Sequence, residues 1–384
     1  MNAPTALGVH IYAGGFTLGM RSAGLNTVGN VERYTLGNET TRKNLKIPVL
    51  NTNPDGSSED FGKAFRLFSK EKINVLYGNP PCVAFSRLGN RAYLDHPTIR
   101  DWWDWTYTVE NLEPDVAVLE CVQQAWTKGR PLLDQFNARF TPLGYKPYVF
   151  LTDAYLHGAA QLRQRFHLVI SKVKLQFEMP VKGETTGFTV AQMLNWLELH
   201  GEKQEFPMEK LQAPAYYRWL GEYVKPGQNC RKVWMHLMGK TESTKGKNKG
   251  APPFIAQRLG LDRPAPTFAG GPDFFHPTEW RSITPQEMAV LSGYPDWYKF
   301  GRGPRGTNLT ISYQEVARAV MPPIGKYLGK VFKKGLEQGE GVTDQRLEVI
   351  NYTSLAREWL AGTLKAPKLE AADFGKFKQP EVPA

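Results

Sequence analysis

Cysteine is scarce in this chain: 384 residues hold only three, Cys82, Cys121 and Cys230. An odd number with no regular spacing excludes a disulfide framework and a cysteine-rich zinc cluster, and points to a reducing compartment. No metal site is expected. Long apolar runs are also missing. None approaches the roughly 20 residues that a membrane-spanning helix needs, and Met1-Asn2-Ala3-Pro4-Thr5 forms neither a charged leader nor an apolar segment. The expectation is a soluble, cytoplasmic protein that does not enter membranes. Acidic residues are in deficit too, 37 Asp and Glu against 48 Lys and Arg, for a formal charge of +11. Such a balance suits a polyanionic partner. The excess is concentrated between Gly201 and Gly260, where eleven Lys or Arg face five Glu, and Lys240 to Gly250 carries Lys245, Lys247 and Lys249. That stretch reads as a basic loop that contacts a polyanion or, equally, as a solvated linker.

What is present is a succession of short apolar runs separated by turns. Leu7 to Tyr12 reads as a buried strand, followed by Ala13-Gly14-Gly15-Phe16 and a helix from about Thr17 to Ala23. Glycines there let a helix N-terminus approach a ligand. A second strand, Thr27 to Val31, ends in Glu32, the position at which a doubly wound domain takes ribose hydroxyls; a surface glutamate is the plainer reading. Asp60 precedes a further helical stretch. The run Val75-Leu76-Tyr77 then stops in Gly78-Asn79-Pro80-Pro81 and delivers Cys82, with Ser86 just beyond. Two prolines cannot continue a strand, so Cys82 belongs to the loop at its end, where α/β enzymes keep their chemistry. Taken alone, a free cysteine is more often a small buried hydrophobe than a nucleophile.

Val116 to Leu119 forms another run, ending in Glu120-Cys121-Val122. Tyr148 to Leu151 and Phe166 to Ile170 read as strands flanking Gln161-Leu162-Arg163-Gln164-Arg165. In an extended chain Arg163 and Arg165 share one face and repel unless an anion lies near them; exposed charges on an edge strand are the alternative.

The ordered set Tyr12 to Phe16, Glu32, Asp60, Pro80-Pro81-Cys82, Glu120-Cys121-Val122, Gln161-x-Arg163-x-Arg165, Arg281-x-x-Thr284-x-x-Glu287, Gly293-Tyr294-Pro295 and Val320-Met321-Pro322-Pro323 resembles the DNA cytosine-5 methyltransferase family, from about Val9 to Leu328. The resemblance implies an α/β fold, a doubly wound, mostly parallel Rossmann-like sheet with a second, smaller target-recognition domain. It divides the chain into a cofactor-binding and catalytic domain (1–170), the recognition domain (171–265), a return to the catalytic domain (266–332) and a C-terminal extension (333–384). It further implies S-adenosylmethionine as cofactor, held by Tyr12, Ala13, Gly14, Gly15, Phe16, Glu32, Asp60, Pro80, Arg318 and Val320. Cys82 is then the nucleophile toward cytosine C6, Glu120 the acid at N3 and the exocyclic amine, Arg165 the group at O2, and Arg163 its support. A base in a duplex hides C6, so the target nucleotide is flipped into the site. Double-stranded DNA is the expected partner of a monomer, contacted by Ser86, Gln161, Tyr217, Arg218, Lys245 and Lys247. Thr284 and Glu287 are spaced to form a capping box, and the last cofactor-side helix is expected to follow Tyr313 and run through Ala319. The tail beyond about Lys333 reads as a small helical appendage or a partly disordered segment.

Three positions depart from the family pattern. His10 stands where an acidic residue is usual and the glycine loop is two residues short; Cys121 replaces asparagine; and Arg318 takes the place of asparagine before Ala319-Val320. A shorter loop leaves more room, and an arginine near a sulfonium suggests a carboxylated S-adenosylmethionine and carboxymethyl transfer as an alternative. A catalytically silent DNA-binding paralogue and a tRNA cytosine-5 methyltransferase are the other rival readings.

Overall fold

The computed structural model describes residues 3–64, 72–86, 92–240, 251–303 and 306–364, with residues 64, 215–217, 302–303 and 306–307 described by their backbone alone. Lys245 and Lys247 lie outside the described residues.

Seven strands form the body of one sheet: β1 (Thr5–Val9), β2 (Asn26–Glu32), β3 (Val49–Asn51), β4 (Val75–Gly78), β5 (Val116–Val122), β6 (Lys146–Asp153) and β7 (Gln164–Ser171). Short pairs follow, β8 (Gln257–Arg258) with β9 (Phe274–Phe275) and β10 (Arg302–Gly303) with β11 (Gly306–Thr307), and β12 (Glu348–Asn351) rejoins the large sheet. Its order is β12-β6-β7-β5-β4-β1-β2-β3. Only β7 runs against its neighbours; the other pairings are parallel. The order reverses direction at β1, between β4 and β2, which opens a crevice at the C-terminal strand ends where doubly wound folds bind ligands.

Alternation along the strands builds two apolar layers. Leu7, Val9, Leu76, Ala117 and Leu119 face a layer that includes Trp102, Trp105, Phe136 and Phe140; Ala6, Val75, Tyr77, Val116 and Val118 face Phe16, Met20, Ile324 and Leu328. Helices α1 (Gly15–Ser22), α2 (Asn38–Leu45), α3 (Ser58–Ala64), α4 (Ile99–Leu112), α5 (Gln124–Lys128) and α6 (Arg130–Phe140) belong to the first half of the fold. Because both faces are covered, the strand sequences read as continuous apolar runs.

The middle of the chain carries α7 (Val190–His200) and α8 (Cys230–Leu237). A separate small core gathers Ala213, Leu220, Val224, Cys230, Val233, Trp234 and Ala256 with Phe275, and Trp280 stacks on Phe275 at 4.5 Å. Leu194 of α7 packs elsewhere, with Met288 and Leu291 of α9 (Pro285–Leu291). Thr284 and Glu287 close the capping box at the start of α9, while the Arg281 guanidinium grips both Glu287 and Glu279.

The closing helices differ from the sequence expectation. α10 (Leu309–Arg318) begins before Tyr313, because the Asn308 side chain accepts the Ile311 N–H and caps it. α11 (Pro322–Gln338) then lies along α1, where the Cα of Gly325 would sit 2.6 Å from a Cβ placed on Gly19. The described part of the segment beyond Lys333, to residue 364, is not an appendage. It returns as β12, in register with β6 from Glu348 opposite Tyr148 to Asn351 opposite Leu151, and continues into α12 (Leu355–Trp359). Among the described residues no helix is long and apolar enough to cross a membrane.

Candidate active site

β4 ends at Gly78, and the Asn79 N–H still reaches the Val9 carbonyl at 3.1 Å. Pro80 and Pro81 have no N–H to extend the ladder, so the chain leaves the sheet. It turns at Cys82, whose carbonyl accepts the N–H groups of Phe85 (3.0 Å) and Ser86 (2.9 Å). Pro80 is buried, while Cys82 and Ser86 are half-buried. Burial pushes the Cys82 thiol above its ordinary range; Arg165 pulls against this most strongly, Glu120 adds to it, and Arg163 opposes it. Cys82 is therefore a thiol under the influence of two cations.

Glu120 comes from the neighbouring strand. It is 3% exposed, and its Oε2 accepts a hydrogen bond from Asn79 Nδ2 at 2.5 Å. Arg165 enters from β7, where it stands opposite Val122, diagonal to Glu120. Its Nε lies 3.0 Å from Glu120 Oε1, yet that oxygen makes no hydrogen bond among the described residues. Glu120 and Arg165 thus form a buried ion pair whose charges both act on the Cys82 thiol. Burial also raises the Glu120 carboxyl above its ordinary range, with Arg165 and Arg163 holding it down. Asn79 was missed as a functional residue; its place directly before Pro80 in the turn is the only sequence signal for it.

Arg163 and Arg165 part company. Arg165 faces Glu120, whereas the buried Arg163 guanidinium donates to the carbonyls of Ala317 (2.6 Å) and Ala319 (3.1 Å) at the end of α10. Its own N–H bonds the Asp153 carboxylate at 3.1 Å. Burial and Arg165 lower the Arg163 guanidinium to about 9. Arg163 joins the start of β7 to the residues flanking Arg318.

The glycine turn and the α10–α11 junction meet in space. Gly14, at φ +79, caps α1, and the Tyr298 hydroxyl donates to Ala13 O at 2.6 Å. A Cβ on Gly15 would lie 2.1 Å from both the Tyr294 hydroxyl and the Val320 carbonyl. The short loop therefore leaves no additional room: two tyrosine hydroxyls fill the space, contrary to the sequence expectation. Gly15→Ala is expected to lower the thermal midpoint by about 5 °C or more, because neither backbone nor buried ring can retreat; a calorimetric scan checks this. Phe16 also departs from its expected cofactor contact. It is fully buried, its ring 5.3 Å from that of Tyr77 in an edge contact.

Tyr12, at φ +62, donates its N–H to Glu32 Oε1 at 2.8 Å. Burial, partly offset by Arg318, pushes its hydroxyl up to about 12. Arg318 is exposed and Val320 buried. Beyond the ends of β2 and β3 lies a cavity of about 270 Å³ bordered by Arg33, Leu50, Asn51, Asp60 and Phe61. Asp60 is exposed there, and its Oδ2 accepts the Ser57 hydroxyl at 2.6 Å. The cavity has largely apolar walls and a carboxylate at its rim, and it opens just past Glu32, the last residue of β2.

The expected DNA contacts are scattered. Gln161 is fully buried and donates to Ser292 Oγ at 3.2 Å, with its own Oε1 unpartnered. Arg218 is exposed and donates to Ala213 O at 3.3 Å. Tyr217 lies on a short 3₁₀ turn, Ala215–Glu222, and its side chain is outside the description.

Comparison with known proteins agrees with this arrangement. A family model described as C-5 cytosine-specific DNA methylase matches residues 9–334. The type II methyltransferase M.Sau96I of Staphylococcus aureus is 26% identical over 343 residues, covering 85% of this chain and 75% of its own. M1.HphI of Haemophilus parahaemolyticus is 25% identical over 337 residues, covering 84% of each. Among solved structures, the Entamoeba histolytica methyltransferase EhMeth has a TM-score of 0.58 at 13% identity, over 88% of this chain and 99% of that one, a likeness of fold. Sheet order, the Cys82–Glu120–Arg165 cluster and the family match together place this chain in the C-5 cytosine-specific DNA methylase family, as a DNA cytosine-5 methyltransferase.

Proposed function

We propose that the enzyme methylates C5 of a flipped cytosine in double-stranded DNA through a covalent adduct between Cys82 and C6. The observation that carries this reading is the buried Glu120 carboxyl paired with Arg165, the charges of both acting on the Cys82 thiol. A cytosine placed there meets the thiol at C6, Glu120 at N3 and the exocyclic amine, and Arg165 at O2. Addition of sulfur to C6 pushes electron density onto C5 and N3. The raised Glu120 carboxyl is suited to give its proton to N3, and Arg165 stabilises the charge that remains. Once C5 carries the transferred methyl group, loss of its proton re-forms the C5–C6 double bond and the Cys82 sulfur leaves.

S-adenosylmethionine, when bound, supplies the electrophilic methyl group. Glu32, Asp60, Tyr12 and the Gly14-Gly15 turn would hold it; Arg163 keeps the Ala317–Ala319 side of the site in place. Arg218 and the basic segment around Lys245 and Lys247 contact phosphates, and the protein acts as a monomer. One observation favours a second reading, carboxymethyl transfer from a carboxylated cofactor: the Arg318 guanidinium stands by the Tyr12 hydroxyl at the rim of the same site.

Nucleoside mass spectrometry after incubation of duplex DNA, or tRNA, with each cofactor tests these assignments. The expected product is 5-methylcytosine in duplex DNA. Modified tRNA alone overturns the choice of substrate, carboxymethylcytosine alone overturns the choice of donor, and no product with a well-folded protein overturns catalysis.

A further inference from the structure

His10 follows the last residue of β1 and is 2% exposed, at φ +55. Its Nε2 lies 3.0 Å from Asp104 Oδ2 and its Nδ1 3.7 Å from Glu32 Oε2. The ring stacks on Phe61 at 4.9 Å. Asp104 is also held by a fork from Arg33, with Nε at 2.5 Å and Nη2 at 2.7 Å. The remaining Arg33 donors reach the carbonyls of Asn53, Gly56 and Ser57. Arg33 lies over the other contact of this group, the Phe61 ring, at 5.0 Å.

Charge balance fixes the state of the imidazole. The groups facing it are Glu32 from β2, Asp101 and Asp104 from α4, and Arg33 and Tyr34 from the segment after β2. Tyr34 donates its hydroxyl to Asp101 at 2.8 Å, and Arg100 approaches the same carboxylate from the surface at 3.9 Å. Three buried carboxylates face one buried guanidinium, so a neutral His10 would leave excess negative charge where water cannot screen it. Burial opposes charge on the ring, but the hydrogen bond to Asp104 and the nearby Glu32 carboxylate outweigh it, and His10 is raised to about 9. Although His10, Asp101 and Asp104 bring possible ligand atoms within 4.8 Å of one another, the Arg33 fork already occupies Asp104. The cluster is an ion-pair network.

We propose that His10 is a positioning residue for the cofactor: as an imidazolium bridging Asp104 and Glu32, it fixes the Glu32 carboxylate and the Phe61 wall of the neighbouring cavity before the nucleoside arrives. The Tyr12 N–H holds one Glu32 oxygen and His10 faces the other, so the carboxylate enters binding already oriented, and less ordering remains to be done when ligand binds. The inference rests on the reading of Glu32 as the ribose acceptor.

Calorimetric titration of the full chain with S-adenosylhomocysteine tests it. His10→Asn is expected to bind about tenfold more weakly at pH 7.5, equivalent to about 1.4 kcal/mol, with duplex DNA binding in the absence of cofactor unchanged. Because the raised group holds its proton below its folded value, the parent's affinity is expected to be level from pH 7 to 8 and to fall as pH rises through about 9; His10→Asn lacks that fall. If the asparagine variant does not fold, His10→Gln and the parent's net proton uptake on binding near pH 9 replace it. Equal affinity of a folded His10 variant and parent, or zero proton uptake, overturns the proposal. Glu32→Ala separates the two readings: if it leaves affinity unchanged, the assignment of Glu32 fails first; if it weakens binding while His10→Asn does not, His10 alone is wrong.

Discussion

Cys82→Ser is expected to lose all covalent capture of duplex DNA containing 5-fluorocytosine and at least ~10⁴-fold of its turnover. The fluorine matters because the adduct resolves only when C5 gives up a proton, and fluorine cannot leave as a cation; the parent enzyme is therefore trapped as a stable protein–DNA species. A serine hydroxyl at the same turn is a far weaker nucleophile, and neither Arg165 nor Arg163 lowers its pKa enough to compensate. The structure predicts a discriminating companion result. Cys121→Ser, fully buried on β5, keeps the capture, because that thiol is held well above its ordinary range by burial and faces the core. Denaturing gel electrophoresis of the reaction reads both outcomes, and capture by Cys82→Ser would remove this residue from the mechanism.

The second large effect is expected at Glu120. Glu120→Gln retains the hydrogen-bonding shape but can no longer give a proton to N3, and turnover should fall by about 10²- to 10³-fold with little change in DNA affinity. The pH profile carries more information than the magnitude. Burial raises Glu120, so its acid form persists to higher pH, and activity depending on that form declines as pH rises through the shifted value. Burial also raises Cys82, so the thiolate fraction grows with pH. The parent's kcat/KM should pass through a maximum, and Glu120→Gln should keep the rising limb while losing the falling one. Two limbs in the variant would show that another group provides the acid.

The strands β4 and β5 were legible because they are buried on both faces: Val75 to Tyr77 and Val116 to Leu119 are runs of apolar and aromatic residues, and each leads into a candidate site residue, Cys82 in the loop past Pro81 and Glu120 directly. The capping box at Thr284 and Glu287 was legible for a similar reason, since its geometry is local. Arg163 was harder. Its partners, Ala317 O and Ala319 O, are backbone atoms more than a hundred residues away, and a carbonyl leaves no mark in a sequence. The glycine turn misled for the same reason: Tyr294 and Tyr298 fill it from another part of the chain. His10 and Asp104 become partners only when α4 is laid over the end of β1. Side chains read locally give strands and caps, whereas long-range polar pairings need the fold.

β12 illustrates how distance along the chain becomes order in time. Until the ribosome has delivered Asn351, the outer edge of β6, from Tyr148 to Leu151, presents unpaired N–H and carbonyl groups on a largely apolar strand. Everything needed for the cleft around Cys82, Glu120 and Arg165 has by then already been synthesised. Among the described residues β12 is the last strand to be synthesised, so until it docks the β6 edge remains open to pairing with another strand.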